Sequence, residues 1–458
     1  MKLWSDTVSA GDDAKRIERF TAAHDRDFDL LLAPCDILGS IAHVRMLAAV
    51  ALISPEEGRA LERELRAIHA AAMDGSFVIE DGVEDVHSQV ELLLTRSLGD
   101  VGKKVHTGRS RNDQVLVDVK LYLREEIRAI VRRVEALFEV LQRRSEEHRD
   151  AVLPGYTHLQ VAMPSSFGLW FGAWAECLAE DLGVLRAAYE LADLNPLGSG
   201  AGYGSSFPID REMTTRLLCF GGMHVNAVAA QLSRGRTERA VAGGLAAIAS
   251  TLAKMAMDAT LFLSQNFSFF ALPPELSTGS SIMPHKKNPD VFELLRARCN
   301  RLQALPNDIA LVTANLPSGY HRDLQLLKEL LFPALQELGE CLDMSTFMMA
   351  RVLARPVDAG DERYLLMYSV EEVNALVLQG MPFRDAYRLV AARVKEGTFS
   401  RTAPLAHTHT GSLGNLRNDL IREKMDEQVR AFGFARLDRL AELLVAENEG
   451  RCEISDVS

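Results

Sequence analysis

The chain has 458 residues, with 63 acidic against 51 basic side chains and a formal net charge of −12. That length can bury a large core and predicts more than one domain. The acidic balance argues against a nucleic-acid-binding surface, which needs a Lys/Arg footprint on the phosphates.

The first twenty residues are polar and mixed in charge, without the apolar stretch of a signal peptide. No run of about 18 apolar residues reads as a membrane span, so the expectation is a soluble, cytoplasmic protein. A first, mixed helical segment ends in the glycines at Gly102 and Gly108. From Arg109 to Leu153 there is neither Pro nor Gly, and apolar side chains recur at helical spacing from Val115 and Val119 through Leu123 and Ile127 to Leu141. Pro154-Gly155 ends that run. A second long helix is predicted over about 237–270, a third from near Pro289 with a break at Pro306, and a fourth from Ser318 toward Val352. Strand-like alternation is scarce, so the fold class is all-α, with bundled long helices. The break Arg355-Pro-Val-Asp-Ala-Gly360 closes the long-helix region. Three domains follow: 1–108, mainly helical; 109–354, the central bundle; and 355–458, small and helical. The six cysteines are scattered without CxxC spacing, which suits reduced thiols and gives no metal framework. No glycine-rich loop follows a strand, so no nucleotide cofactor is indicated.

Chemistry concentrates in Ser277-Thr-Gly-Ser-Ser-Ile-Met-Pro-His-Lys-Lys-Asn-Pro-Asp290. A loop of small residues runs into a helix N-terminus, whose N–H groups and dipole favour anions. Lys286 and Lys287 add positive charge beside the hydroxyls of Ser280 and Ser281. Such a loop can clasp a carboxylate and ease removal of a serine proton.

This string resembles the signature of the fumarase/aspartase superfamily, with Glu293 in the place of its helical Glu. The resemblance covers nearly the whole chain. Two further strings, His106-Thr-Gly-Arg-Ser-Arg-Asn-Asp-Gln114 and Gly155-Tyr-Thr-His-Leu-Gln160, are similar to motifs of its argininosuccinate lyase branch. The resemblance implies a three-domain all-α fold around a central long-helix bundle. It implies reversible elimination of argininosuccinate to arginine and fumarate through a carbanion, with no cofactor. It also implies a homotetramer in which each site draws on three subunits. Removing a proton beside a carboxylate and expelling a guanidino nitrogen needs a base, an acid and donors for the developing charge. The resemblance points to Ser280 as base, Lys286 as its stabiliser, and His158 as the acid or its activator, paired with Glu293. Base and acid can also be exchanged between Ser280 and His158. Substrate ligands on the same footing are Ser110, Arg111, Asn112, Thr157, Asn288, Tyr320, Gln325 and Lys328, with His87 behind them. Gln325 and Lys328 are three apart and share a helix face; Arg109 or Arg111 can instead serve as a structural ion-pair partner.

Three departures stand out. His285 occupies a position that is often Gln in this branch. Residues 20–25 lack the Ser-Ile-Ala that supplies a substrate serine in many relatives. Gly198-Ser-Gly-Ala-Gly-Tyr-Gly204 carries a bulky tyrosine. Two other readings are a different fumarate-releasing lyase, chiefly adenylosuccinate lyase, and a structural crystallin-like role, the latter disfavoured by the presence of both His158 and Ser280.

Overall fold

The computed structural model describes residues 16–17, 20–21, 25–279, 281–358 and 360–445. Its spine is a set of long helices: α1 (Asp25–Ala49), α2 (Pro55–Met73), α3 (Val86–Leu98), α4 (Arg111–Glu147), α5 (Phe167–Ala192) and α6 (Arg236–Leu263). After them come α7 (Asp290–Leu302), α8 (Leu305–Val312) and α9 (Leu326–Met349). The C-terminal part adds α10 (Ser369–Leu378), α11 (Phe383–Lys395), α12 (Asn418–Ala431) and α13 (Ala435–Leu444). The architecture is all-α, as the periodicity predicts.

At 37 residues, α4 is the longest described helix, about 55 Å at 1.5 Å per residue. Its stripe from Leu123 and Ile127 to Leu141 is fully buried as the helix packs on α1, α5 and α9, and α5 packs in turn on α6. Gly168 and Gly244 allow these crossings: a Cβ at Gly168 would sit 2.5 Å from the Arg149 Cα, and one at Gly244 2.9 Å from the Leu185 Cα. The described apolar core falls into three clusters. The largest lies in the long-helix bundle; a second joins α1, α2 and α3 with Val117 and Leu121 of α4; a small third holds Val373, Ala386 and Val390. The last helices return to the first two, Ile421 and Met425 packing in the bundle and Leu440 and Leu444 in the N-terminal cluster.

Several boundaries differ from the sequence reading. The run beyond Pro289 is split into α7 and α8 at residues 303–304, next to Pro306 in the first turn of α8, where a missing N–H is harmless. The fourth helix starts only at Leu326, after a 3₁₀ turn Arg322–Gln325. An antiparallel hairpin, β1 (Val152–Thr157) and β2 (Gln160–Ser166), follows α4 where the sequence reading has only a turn. Two stretches, Asp25–Ala49 and Ala227–Leu263, are long and apolar enough to cross a bilayer, each with mean hydropathy 1.5, contrary to the expectation that none exists. Within the fold, 72% and 56% of those windows are buried, as in core helices.

Candidate active site

The first group of site residues forms at the start of α4. Ser110 is the N-cap, its Oγ accepting from the Asn112 N–H at 3.3 Å, while Asp113 Oδ1 accepts from the Ser110 N–H at 2.9 Å. This capping box satisfies helix donors that would otherwise lack partners. The other carboxylate oxygen of Asp113 accepts from the N–H groups of Gly198 and Gly200, both at 2.9 Å. One buried side chain therefore fixes the α4 N-terminus to the glycine-rich loop. Gly198, Gly200, Gly202 and Gly204 all have positive φ, so that loop needs its glycines. Tyr203 points outward at 74% exposed, and a Cβ on Gly319 would lie 3.7 Å from its hydroxyl. The bulk that replaces the usual small residue thus sits beside the Tyr320 segment without filling the interior.

The two arginines separate. Arg109 turns inward, donating to Ser40 Oγ and the Val105 carbonyl, both at 2.9 Å. Arg111 ion-pairs with Glu84 and Asp85, each at 3.1 Å, and donates to Ser88 Oγ at 2.7 Å. It lines a cavity of about 180 Å³ together with Asn112, His87, Tyr320, Gln325 and Lys328. Six of the expected ligands thus share one chamber, with Ser110 next to it. Gln325 donates to the Thr21 carbonyl at 2.8 Å, and the Arg234 guanidinium stacks 4.9 Å from the Tyr320 ring centre. Lys328 is buried, with Nζ 2.5 Å from Asp29 and 2.8 Å from Asp25. Burial works against its charge, but the two carboxylates outweigh that and keep it charged. Asp25, Asp29, Glu84, Asp85 and Arg234 also line the chamber. Sequence reasoning missed Asp25 and Asp29, although their spacing of four puts them on one helix face.

His87 lines the same chamber from α3. Its Nδ1 lies 2.8 Å from Asp36 Oδ1 and 3.7 Å from Asp118 Oδ2, and both acids are fully buried. Burial disfavours the imidazolium, but the Asp36 carboxylate, helped by Asp118 and Asp85, pushes the ring up to about 9. Burial and the neighbouring Asp36 push Asp118 well above the carboxylate range. One carboxylate oxygen each from Asp36 and Asp118 and a ring nitrogen of His87 lie within 4.8 Å of one another, the close spacing a cation could use. The 2.8 Å hydrogen bond already fills that space.

The second group is the tip of the β1–β2 hairpin. Thr157 pairs with Gln160, and the two residues between them, His158 and Leu159, have φ of +55° and +57°. This two-residue turn with both φ positive matches strand twist, yet it is usually built from Asn-Gly. Thr157 and His158 are exposed, and Leu159 is 67% exposed. Just behind the tip, Tyr156 packs against Phe267, and at Gly155 a Cβ would meet the Met163 carbonyl oxygen at 2.9 Å.

The third group surrounds the loop before α7. Thr278 and Gly279 pair with Asn288 and Lys287 in a short ladder, and Thr278 hydrogen-bonds to Asp290. Asn288 donates to Thr278 Oγ1 at 3.4 Å. Lys286 is exposed, and Glu293 is exposed in the first turn of α7. Ser280 lies outside the described residues. The chamber at the start of α4 is lined by neither His158 nor Glu293, and among the described residues Glu293 makes no ion pair with His158 within one chain.

A family described as "Lyase" matches residues 11–304. The argininosuccinate lyase of Phocaeicola vulgatus is 56% identical over 438 residues, covering 96% of this chain and 98% of the relative. That of Bacteroides fragilis is 54% identical, covering 97% and 99%. The chain belongs to the argininosuccinate lyase family. More distant solved structures share the fold of this lyase. EDDS lyase in complex with formate superposes with a TM-score of 0.72 at 22% identity, covering 91% of this chain and 90% of that one. Class II fumarase from Schistosoma mansoni gives 0.65 at 17% identity, covering 89% and 91%.

Proposed function

We propose that this lyase splits argininosuccinate reversibly into arginine and fumarate. The observation that carries the reading is near-full-length identity of 54–56% to relatives bearing that name, in a chain that keeps all three motif groups. A chamber with carboxylates beside lysine and arginine side chains suits the arginine half of that substrate, which carries a guanidinium, an ammonium and a carboxylate. The relatives disfavour adenylosuccinate lyase and a crystallin-like role.

In this reading Ser280 removes the proton next to a carboxylate, with Lys286 and loop N–H groups stabilising the alkoxide. His158, activated by Glu293, supplies the proton for the departing guanidino nitrogen. Thr157 and His87 hold carboxylates of the fumarate half. Asn288, Tyr320, Gln325 and Lys328 hold the guanidino-amino-acid end, and Ser110, Arg111 and Asn112 are further substrate ligands. No cofactor enters.

The three groups meet only between subunits of a homotetramer, each site drawing on three chains. The exposed hairpin tip and the separation of the groups within one chain support this. The partition 1–108, 109–354 and 355–458 is our domain assignment, supported by the three apolar clusters, with α12 and α13 folding back onto the first two. We assign the enzyme to the cytoplasm.

The test is fumarate absorbance with argininosuccinate and adenylosuccinate supplied in parallel. Fumarate from argininosuccinate alone is expected. Release from adenylosuccinate alone, or from neither, refutes the assignment.

A further inference from the structure

His43 and His106 feel the Arg109 guanidinium, whereas His87 touches the buried carboxylate of Asp36 with Asp118 close by. Burial and Arg109 drive His43 well below its ordinary range, and burial with Arg109 and Arg111 takes His106 down to about 4. His43 meets only the Thr107 carbonyl, at 2.8 Å. His87 has Asp36 on its ring.

The surroundings of His87 are fully occupied on one side. Asp36 from α1 bonds Nδ1, and Gln114 from α4 donates to the same Asp36 oxygen at 3.0 Å. Asp118, one turn further along α4, stands 3.7 Å from Nδ1. Asp85 caps α3 next to His87, while Arg109, acting on Asp36 and Asp118, and Arg111, paired with Asp85, supply the opposing charge; His106, held down to about 4, adds none near neutrality. The other ring nitrogen points away from Nδ1, and it has no described protein partner. Of the chamber's other cations, Lys328 and Arg111 each face two carboxylates, Arg322 faces Glu84 at 3.5 Å, and the Arg234 guanidinium stacks on the Tyr320 ring. His87 adds a cationic N–H whose carboxylate partners lie on the Nδ1 side of the ring.

We infer that Asp36 is a positioning residue: it fixes His87 through Nδ1, so that the Nε2–H is held toward the chamber as a charged donor for a substrate carboxylate. The inference rests on the reading that the chamber takes substrate. Asp36 touches no substrate and acts through the ring, which must stay protonated as long as the Asp36 carboxylate is ionised. Asp36 stays ionised because His87, together with Arg109 and Gln114, outweighs the penalty of its burial.

The experiment uses the full-length enzyme and fumarate as a competitive inhibitor, with the inhibition constant followed across pH. For the wild type the constant is flat through neutrality and rises about tenfold per pH unit above about 9, as one proton is lost. H87Q raises it about tenfold or more at neutral pH, the scale of a lost charged hydrogen bond, and abolishes the break. D36N keeps the fold but moves the break at least about one pH unit lower, and D36E restores it. A folded D36N with the wild-type break overturns the inference. A second measurement needs no Asp36 variant: the His87 ring signal in the wild type, assigned by its loss in H87Q, should titrate near pH 9. A midpoint below about 7.5 also overturns the charge-holding role of Asp36. If H87Q leaves fumarate inhibition unchanged while the ring still titrates near 9, the reading of the chamber as a carboxylate site fails, and with it the donor role.

Discussion

Asp113 shows how much of the site depends on one side chain outside the catalytic set. It accepts from three backbone N–H groups, those of Ser110, Gly198 and Gly200, in a fully buried position. Asp113→Ala removes all three acceptors, and the expected loss is about 2–4 kcal/mol, from a cap plus two buried donors left unpaired. Denaturant unfolding checks it, and a loss under about 1 kcal/mol would show that the loop finds other partners. Sequence reasoning reached the neighbours of Asp113 and not its role. Ser110, Arg111 and Asn112 were legible because they open a helix within a recognisable string. The link from Asp113 to residues 85 and 87 positions later is a tertiary contact that no local pattern carries. Lys328 was legible by position, and its pairing with Asp25 and Asp29 was not, since α1 and α9 are three hundred residues apart. The same limit hid Asp36 behind His87.

At the scale of elements, periodicity located the long helices well because their apolar stripes face a bundle core and repeat for ten turns. The hairpin Val152–Ser166 escaped for a local reason. Its first strand contains Pro154 and Gly155, which read as helix-stop signals, and its register breaks between Pro154 and Tyr156. The hairpin turn carries a further consequence. His158 and Leu159 both hold left-handed backbone, which disfavours side chains by about 1–2 kcal/mol per residue. Such strain in an exposed turn is a mark of function. His158→Gly should therefore stabilise the folded chain slightly, by up to about 1 kcal/mol once the added unfolded-state freedom is counted. Its turnover should fall by about 10²–10⁴-fold, the range of a lost proton donor. Thermal unfolding and the fumarate assay on one preparation test both signs. A variant that is less stable and still active would remove the tip from the mechanism.

For the whole molecule, the central claim is that one site is completed by several chains. The chamber at the start of α4, the tip at His158 and the loop before α7 belong to different parts of a bundle whose longest helix spans about 55 Å. The bundle architecture was readable from sequence, because helix length and stripe width are local properties. The proposed meeting of its ends across subunits was not, since that depends on symmetry, and only the family resemblance pointed to it. Complementation between variants decides the matter most directly. His158→Ala and Ser280→Ala chains are each expected to be inactive alone. Co-refolded at equal amounts, they should regain about a quarter of native activity, because dihedral symmetry lets each site draw its histidine and its serine from different chains and both are intact in about a quarter of sites. Mixed tetramers that form by native mass measurement and remain inactive would contradict the account.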